Sequence, residues 1–340
     1  MRNDQRRRFL LASGTLLTAL PALIAAGAFA VPAYGQKTKL HRVAFIATLT
    51  PVQELPSNSA VRAFVGRLRE LGYVEGRNLV LDLRSLESRY ERSSELLADI
   101  VRLKPDVIFS ASQVILERSP GATGNIPVVT LASWSIVESG LAKSLARPGG
   151  TVTGQLYDIE SGIEAKRLEL LRELVPQARR VAFLAHGVTW DDPDGKQVRA
   201  AAQRLGVTLV NAAYQGTDIQ AAFATIDREA PDAVFVAAGP MNYGNRQKIS
   251  AFISARRLPC SGGIREVAEN GCLMSYGVDV GDMMRRAASS AAKILAGAKP
   301  GDLPIEQPTK FDFVINAKTA RAIGITIPQS MLLRADRVIE

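Results

Sequence analysis

The sequence predicts an α/β protein built as two doubly wound parallel-sheet lobes joined by a multi-strand hinge. Three observations carry that expectation. From Arg42 onward, short β-branched or apolar runs alternate with amphipathic helical stretches, the pattern of a parallel sheet covered on both faces. The alternation breaks in mid-chain at Arg-Pro-Gly-Gly-Thr-Val-Thr-Gly (147–154) and restarts after Glu160, as happens when a chain leaves one core to build another. Finally, about 305 residues follow the amino-terminal apolar segment, too many for one ordinary core and suited to two lobes of about 120 to 150 residues each.

The clearest strands are expected at Arg42 to Ala47, Asn78 to Arg84, Asp106 to Ser110, Pro127 to Leu131, Arg180 to Ala185, Val207 to Ala212 and Ala233 to Ala237. Their near-continuous apolar character fits burial on both sides. Between them, Val61, Phe64, Val65, Leu68 and Leu71 recur at helical spacing, with Ser57, Asn58 or Ser59 to cap the start and Gly72 to end the helix. A second helix runs from about Ser161 to Val175, with Ala165, Leu168, Leu171 and Val175 on one stripe and Pro176 stopping it. A third turns Met284, Ala287, Ala288, Ala291, Ile294 and Leu295 inward and closes at Gly297. The Pro/Gly-rich stretch from Ala298 to Pro308 reads as a further crossing between lobes. The expected organisation is a signal peptide over 1–35, a first lobe over 36–155, a second over 156–277, a return to the first over 278–305, and a hinge crossing with the carboxyl-terminal segment over 306–340.

The amino terminus reads as an export signal. Arg6-Arg7-Arg8-Phe9-Leu10 stands directly before an uncharged apolar stretch from Leu10 to Ala33, the layout of a signal peptide. The Arg pair followed by Phe-Leu fits the twin-arginine pattern, with Gln5 in place of the usual hydroxyl residue. Ala33-Tyr34-Gly35 supplies the small side chains that cleavage before Gln36 needs, and Ala28-Phe29-Ala30 offers a second site. An uncleaved anchor is the alternative, against which Gly14, Pro21 and Gly27 interrupt the apolar run. The first Cys is Cys260, which excludes a lipid-modified amino-terminal cysteine. The expected location is the periplasm.

The formal charge is +9, of which residues 1–35 contribute four Arg and one Asp, so the remainder carries +6. That excess is scattered, and outside the signal no basic run exceeds an Arg pair; a nucleic-acid partner, which would want such residues on one stripe, is not expected. Cys260 and Cys272 invite a disulfide in an oxidising compartment. They flank a short predicted helix, so pairing depends on the turn between them. Two Cys without nearby His make a poor metal set.

Ligands of open parallel sheets bind beyond the carboxyl ends of the strands, which directs attention to the loops 48–57, 110–113, 132–136, 186–192 and 238–243. Both Trp residues, Trp134 and Trp190, fall in this set, one from each expected lobe, and Met241 and Tyr243 join them. Tyr157 and Tyr276 lie near the expected crossings. Aromatic rings facing a cleft can stack on a flat ligand. Thr48, Thr50, Ser110, Ser112, Gln113, Ser133 and Ser135 offer hydroxyl and amide groups for a carboxylate, although capping alone explains Ser and Thr at such places. His186 ends a strand, where a lone His is more often structural. The sequence holds no Gly-x-Ser-x-Gly elbow, no Gly-x-x-x-x-Gly-Lys, no His-Glu-x-x-His and no Gly-x-Gly-x-x-Gly. His41 and His186, the only two histidines, make no convincing triad. Asp191, Asp192 and Asp194 around Pro193 lack calcium-loop spacing. No cofactor is expected.

Four motifs in order now support a resemblance. Leu71-Gly-Tyr-Val-Glu-Gly-Arg-Asn78, Ser144-Leu-Ala-Arg-Pro-Gly-Gly-Thr-Val-Thr-Gly154, Leu273-Met-Ser-Tyr-Gly277 and Leu303-Pro-Ile-Glu-Gln-Pro-Thr-Lys310 together resemble the ABC transporter substrate-binding protein family that includes tryptophan-type binders. The likeness runs from about Leu40 to Glu340. It implies a type I periplasmic binding fold that closes on a small aromatic, carboxylate-bearing or amino-acid ligand and delivers it, as a monomer, to an ABC permease and ATPase. It also implies a ligand-proximal place for Ser275 and Tyr276. The family pattern often has Asp-Pro before the segment matching Ser139-Gly140-Leu141; here Ser135-Ile136-Val137-Glu138 stands instead. Alternatives are an exported sensor subunit that signals to a membrane receptor, a repressor's sensing half, which would need an amino-terminal DNA-binding helix pair, and an enzyme, for which no catalytic constellation is visible.

Overall fold

His41–Ala47 (β1) opens the first sheet, and its last five residues are all buried, because a parallel strand flanked by helices has no solvent face. α1 (Ser59–Glu70), β2 (Leu79–Ser85), α2 (Ser93–Arg102), β3 (Val107–Ser110), α3 (Val114–Glu117), β4 (Val128–Ala132) and β5 (Val152–Leu156) follow. The strands are parallel in the order β2-β1-β3-β4-β5. The computed structural model describes residues 39–340 except 158–161, 188 and 217, and except the side chains of Trp134, Pro193, Asp194 and Pro240; the expected signal segment lies outside the described residues. Of the three proposed caps of α1, Asn58 serves, its side chain accepting from the N–H groups of Ala60 and Val61. Gly72 follows the helix at φ +91°, a conformation that favours glycine.

The first departure from the sequence reading is β5. The stretch 147–154 was expected as a crossing, but Val152 to Leu156 pair in register with Val128 to Ala132, and the chain leaves the first sheet only after Leu156. Gly154, which looks like a breaker, is required by this pairing: a Cβ there would overlap the Thr130 carbonyl of β4.

The second sheet is built from β6 (Arg180–His186), β7 (Thr208–Tyr214), β8 (Ala233–Val236), β9 (Cys260–Gly262) and β10 (Met274–Val278), with α4 (Ile163–Leu174), α5 (Pro193–Arg204), α6 (Gln220–Glu229), α7 (Pro240–Gly244), α8 (Arg246–Ala255) and α9 (Arg265–Glu269) around them. Its order β7-β6-β8-β9-β10 repeats that of the first sheet. Next in the chain comes α10 (Val280–Leu295), and β11 (Phe311–Asn316), α11 (Ala317–Ile323), α12 (Gln329–Arg334) and β12 (Arg337–Ile339) complete it. β11 joins β10 antiparallel, and β12 runs parallel to β11.

α10 packs on the first sheet although it follows β10 of the second. Its Met283, Met284, Ala287, Ala288 and Ala291 share a core with Val61, Phe64 and Leu68 of α1 and with Phe45 and Phe109. Beyond it, the Ile305 N–H donates to the Leu145 carbonyl (2.8 Å) and the Glu306 carbonyl accepts from Leu156 (2.8 Å), before the chain enters β11. Three stretches therefore join the sheets, after Leu156, after Val278 and after Glu306. Three connections restrict relative motion of two lobes to a hinge.

Cys260 and Cys272 are joined by a disulfide, with Cα atoms 5.0 Å apart. Nearby, Gly277 of β10 lies so close to the loop after β9 that a Cβ would overlap the Gly263 carbonyl. Gly277→Ala is expected to lower stability by about 1 to 3 kcal/mol. A thermal melt of the variant that matches the unsubstituted protein would show that the Gly263 loop gives way freely.

Candidate functional site

The strand ends of the first lobe are held by their own polar groups. Ser110, fully buried at the end of β3, donates to the Ser112 carbonyl (2.8 Å). Gln113 is also buried. Its amide nitrogen donates to Ser135 Oγ and Glu117 Oε1, each at 2.7 Å, and its oxygen accepts the Ser133 N–H at 2.8 Å. Ser133 and Ser135 share a hydrogen bond of 2.7 Å. Ser110 and Gln113 were expected to face a ligand; with all these groups mutually engaged, they instead staple the loop after β3 to the loop after β4. Ser133 and Ser135 retain an open edge.

Thr48, Thr50 and Ser112 differ. The Tyr90 phenol stands over the ends of β1 and β3; burial pushes its pKa up, against hydrogen bonds to the Thr48 and Ser112 side chains. Thr50 Oγ1 accepts from Asn58 Nδ2 (3.4 Å). The hydroxyls thus line a row from β3 through β1 to the start of α1.

On the second lobe, His186 ends β6 with its ring edge-on to Tyr214, 5.2 Å between centroids. Tyr214 is buried and its hydroxyl donates to Asn242 Oδ1 (2.8 Å). Asn242 in turn donates to the carbonyls of Ala237 (2.8 Å) and Leu184 (3.2 Å). This network sets the angle at which α7 leaves β8. It packs Met241 against the core and presents Tyr243. The Arg246 guanidinium lies 4.4 Å over the Tyr243 ring, and burial, with the Glu266 carboxylate, pushes the phenol's pKa up while Arg246 and a hydrogen bond from Asn58 oppose. Tyr90, Tyr214 and Asn242 were not singled out from sequence, and Asn58 only as a cap; the Asn six residues past the β8 end, in Gly-Pro-Met-Asn-Tyr, was the available signal.

The two lobes meet here. Asn58 of the first stands beside Tyr243 of the second, the Leu49 side chain comes so close to Gly244 that a Cβ there would stand 3.3 Å from its Cδ1, and Ser59 Oγ is 3.5 Å from Glu266 Oε1. Thr50 is therefore brought, through Asn58, to the same seam as Tyr243.

Three aromatic candidates stand elsewhere. Trp190 rests on its own lobe, 5.9 Å from the Phe183 ring, with the Arg199 guanidinium 5.0 Å over its face and Arg199 donating to its carbonyl. That contact set anchors the loop after β6, where the sequence argument had placed Trp190 facing the cleft. Tyr276 is corrected: its ring packs on the sheet face between Phe311 and Phe313, in a groove lined only from the second lobe by Lys166, Leu170, Arg334 and Asp336. Alternation explains it, since Ser275 and Tyr276 point to opposite faces of β10. Tyr157 is largely exposed just beyond β5. The Trp134 side chain lies outside the described residues, though its backbone forms a 3₁₀ turn after β4.

Among the described residues no three His, Cys, Asp or Glu side chains gather as a metal site, and no helix is long and apolar enough to cross a membrane.

Comparisons with known proteins agree on architecture. The chain is 23% identical over 282 residues to a tyrosine-binding protein of Clostridioides difficile, covering 82% of this chain and 80% of that one. A conserved domain protein of Vibrio cholerae superposes with a TM-score of 0.75 at 24% identity, over 88% of this chain and 100% of that one. An ABC domain from Streptococcus pneumonia in complex with L-Trp superposes with a TM-score of 0.75 at 21% identity, over the same shares. The fold is that of the type I periplasmic solute-binding proteins. The family model described as ABC transporter substrate binding protein matches residues 46–339, and the chain belongs to that family, whose members bind substrates and are not enzymes.

Proposed function

We propose that the protein is the periplasmic solute-binding component of an ABC importer, which captures an aromatic amino acid or aromatic carboxylate between its lobes by hinge closure. The observation that carries this reading is the seam itself. Thr50, past the end of β1, reaches Tyr243 of the second lobe through Asn58, at the strand ends where this topology puts ligands. A ligand touched by both lobes favours the closed form, and closure is what a membrane partner can read. Thr48, Thr50, Ser112 and Ser133 are the hydroxyls assigned to the ligand's polar end and Tyr243 the ring assigned to its flat face; Trp134 keeps its candidacy on chain position. The relative that binds tyrosine and the neighbour that holds L-Trp support an aromatic amino acid. The Arg-rich, apolar amino terminus supports export, and family membership supports delivery to a permease and ATPase; the protein is assigned as a monomer.

The test is a thermal-shift screen with tyrosine, tryptophan, benzoate-class acids, leucine and small amides. Tyrosine or tryptophan at a hundredfold its Kd should stabilise the protein by about 2.7 kcal/mol, a rise of roughly 5 °C for a chain of this size. A shift with leucine and with none of the aromatic compounds would overturn the aromatic assignment.

A further inference from the structure

Glu266 is the unusual group at the seam. It sits in the first turn of α9, on the second lobe, with Oε1 3.5 Å from Ser59 Oγ at the start of α1 on the first. Ser59, Ala60, Arg265, Glu266, Asp279 and Asp312 line one cavity of about 70 Å³ where the lobes meet. Every cation near the carboxylate is engaged elsewhere. Arg265 pairs with Asp312 and reaches toward Asp279 at 3.9 Å. Arg246 lies on the Tyr243 ring and donates to the Tyr243 carbonyl at 2.9 Å. Among the described residues no ion pair within 4.0 Å includes Glu266, and its neighbour Glu269 is bound to Arg337. A half-buried carboxylate without a salt-bridge partner resists ionisation.

We propose that this seam is a proton-dependent latch, in which closure brings the Ser59–Ala60 edge of the first lobe onto the half-buried Glu266 and takes up a proton, so that acid favours the closed form. It rests on the reading of hinge closure given above. With the lobes apart, Ser59 and Ala60 no longer cover the carboxyl, so burial raises its pKa less. With them together, burial raises that value and Glu269 raises it further, against the Glu266 N–H, Arg265 and Arg246. Tyr243, facing Glu266 from α7, keeps its proton in the working range because its own pKa is also pushed up. The sign follows: above the ordinary carboxylate value the open form loses the proton first, and closure becomes harder until pH passes the raised value of the closed form. Protonated Glu266 can donate to Ser59 Oγ; the carboxylate can only accept.

The experiment is small-angle scattering of the ligand-free full-length mature chain from pH 4.5 to pH 8, beside Glu266→Gln. The radius of gyration of the unsubstituted protein should grow with pH, while Glu266→Gln, neutral throughout and able to donate to Ser59, should stay compact. A radius that does not respond to pH, or a variant that tracks the unsubstituted protein, would overturn the latch. Carbon-detected NMR titration of Glu266 in the unsubstituted protein does not depend on the variant's folding, and a midpoint at the ordinary value would overturn it as well. No ligand enters either measurement, so a failed ligand screen leaves the latch standing, and an absent pH response leaves the choice of ligand untouched.

Discussion

Arg167→Leu is expected to destabilise the protein by about 3 to 5 kcal/mol, the usual loss when one member of a buried ion pair is removed. Arg167 sits on α4 with 1% of its surface exposed and Glu164, one turn earlier, with 4%; the two carboxylate and guanidinium groups are in contact. The guanidinium also donates to the Tyr276 carbonyl (3.3 Å) and lies 4.5 Å over the Phe235 ring. Leucine would take away the cation that faces a desolvated carboxylate, and it would remove the floor beneath two loops. Gly263 rests so tightly on Arg167 that a Cβ would come within 2.6 Å of Nη1 and 2.8 Å of the Ala238 Cβ. Ala238, the second residue past β8, and Gly263, the first past β9, lead into α7 and α9, which carry Tyr243 and Glu266. A melt should therefore fall by about 10 °C, and ligand affinity should fall with it in the surviving folded protein. The double variant Glu164→Leu/Arg167→Leu removes both charges and should recover most of the stability. A single variant that loses under 1 kcal/mol would mean that water reaches the pair.

The alternation of strands and helices was readable because both sheets are covered on each face. Val43 to Ala47, Val107 to Ser110 and Val128 to Ala132 are buried without interruption, so their sequences are apolar but for Ser110 and Thr130. The repeat of one strand order in both sheets fits the restart after Glu160. β5 escaped notice for a physical reason. Its buried run Val-Thr-Gly-Gln-Leu has Gly where the Thr130 backbone approaches and Thr153 donating to the Leu303 carbonyl at 2.8 Å, and both features imitate a turn. β9 to β12 are short or polar at their ends, and their pairing depends on contacts across the chain that no local pattern encodes.

The site was legible by position and not by residue type. Strand ends pointed to Thr48, Thr50, Ser112 and Tyr243, of which Thr50 and Tyr243 share Asn58 as a neighbour. Rarity of Trp pointed to Trp190, which the Phe183 ring and Arg199 hold on its own lobe. Loop hydroxyls carry two meanings, ligand contact and local capping, and Ser110 shows that burial decides between them. Glu266 could not have been found from sequence, since a Glu in the first turn of a short helix is common. Its significance comes from Ser59, more than two hundred residues away in the chain.

The second large effect expected is at the disulfide. Cys260→Ala/Cys272→Ala should lower stability by about 3 kcal/mol, because the bond closes a loop with a sequence separation of 12, and an open loop of that length regains roughly that much chain entropy on unfolding. Both sulfurs are buried against Val234, Ile253 and Val267, so truncation adds the loss of packed atoms. Denaturant titration separates the two contributions. Unsubstituted protein under strong reductant keeps its sulfur atoms and loses only the link, so it should fall by the loop term alone, with the alanine pair lower still. The consequence reaches the seam, since the closed loop contains α9 and therefore Glu266 and Arg265. Reduction should loosen α9 first, seen as faster amide exchange from Arg265 to Asn270 than across β8. Equal exchange in oxidised and reduced protein would show that Val267 and Ala268, both buried, hold α9 without the cross-link.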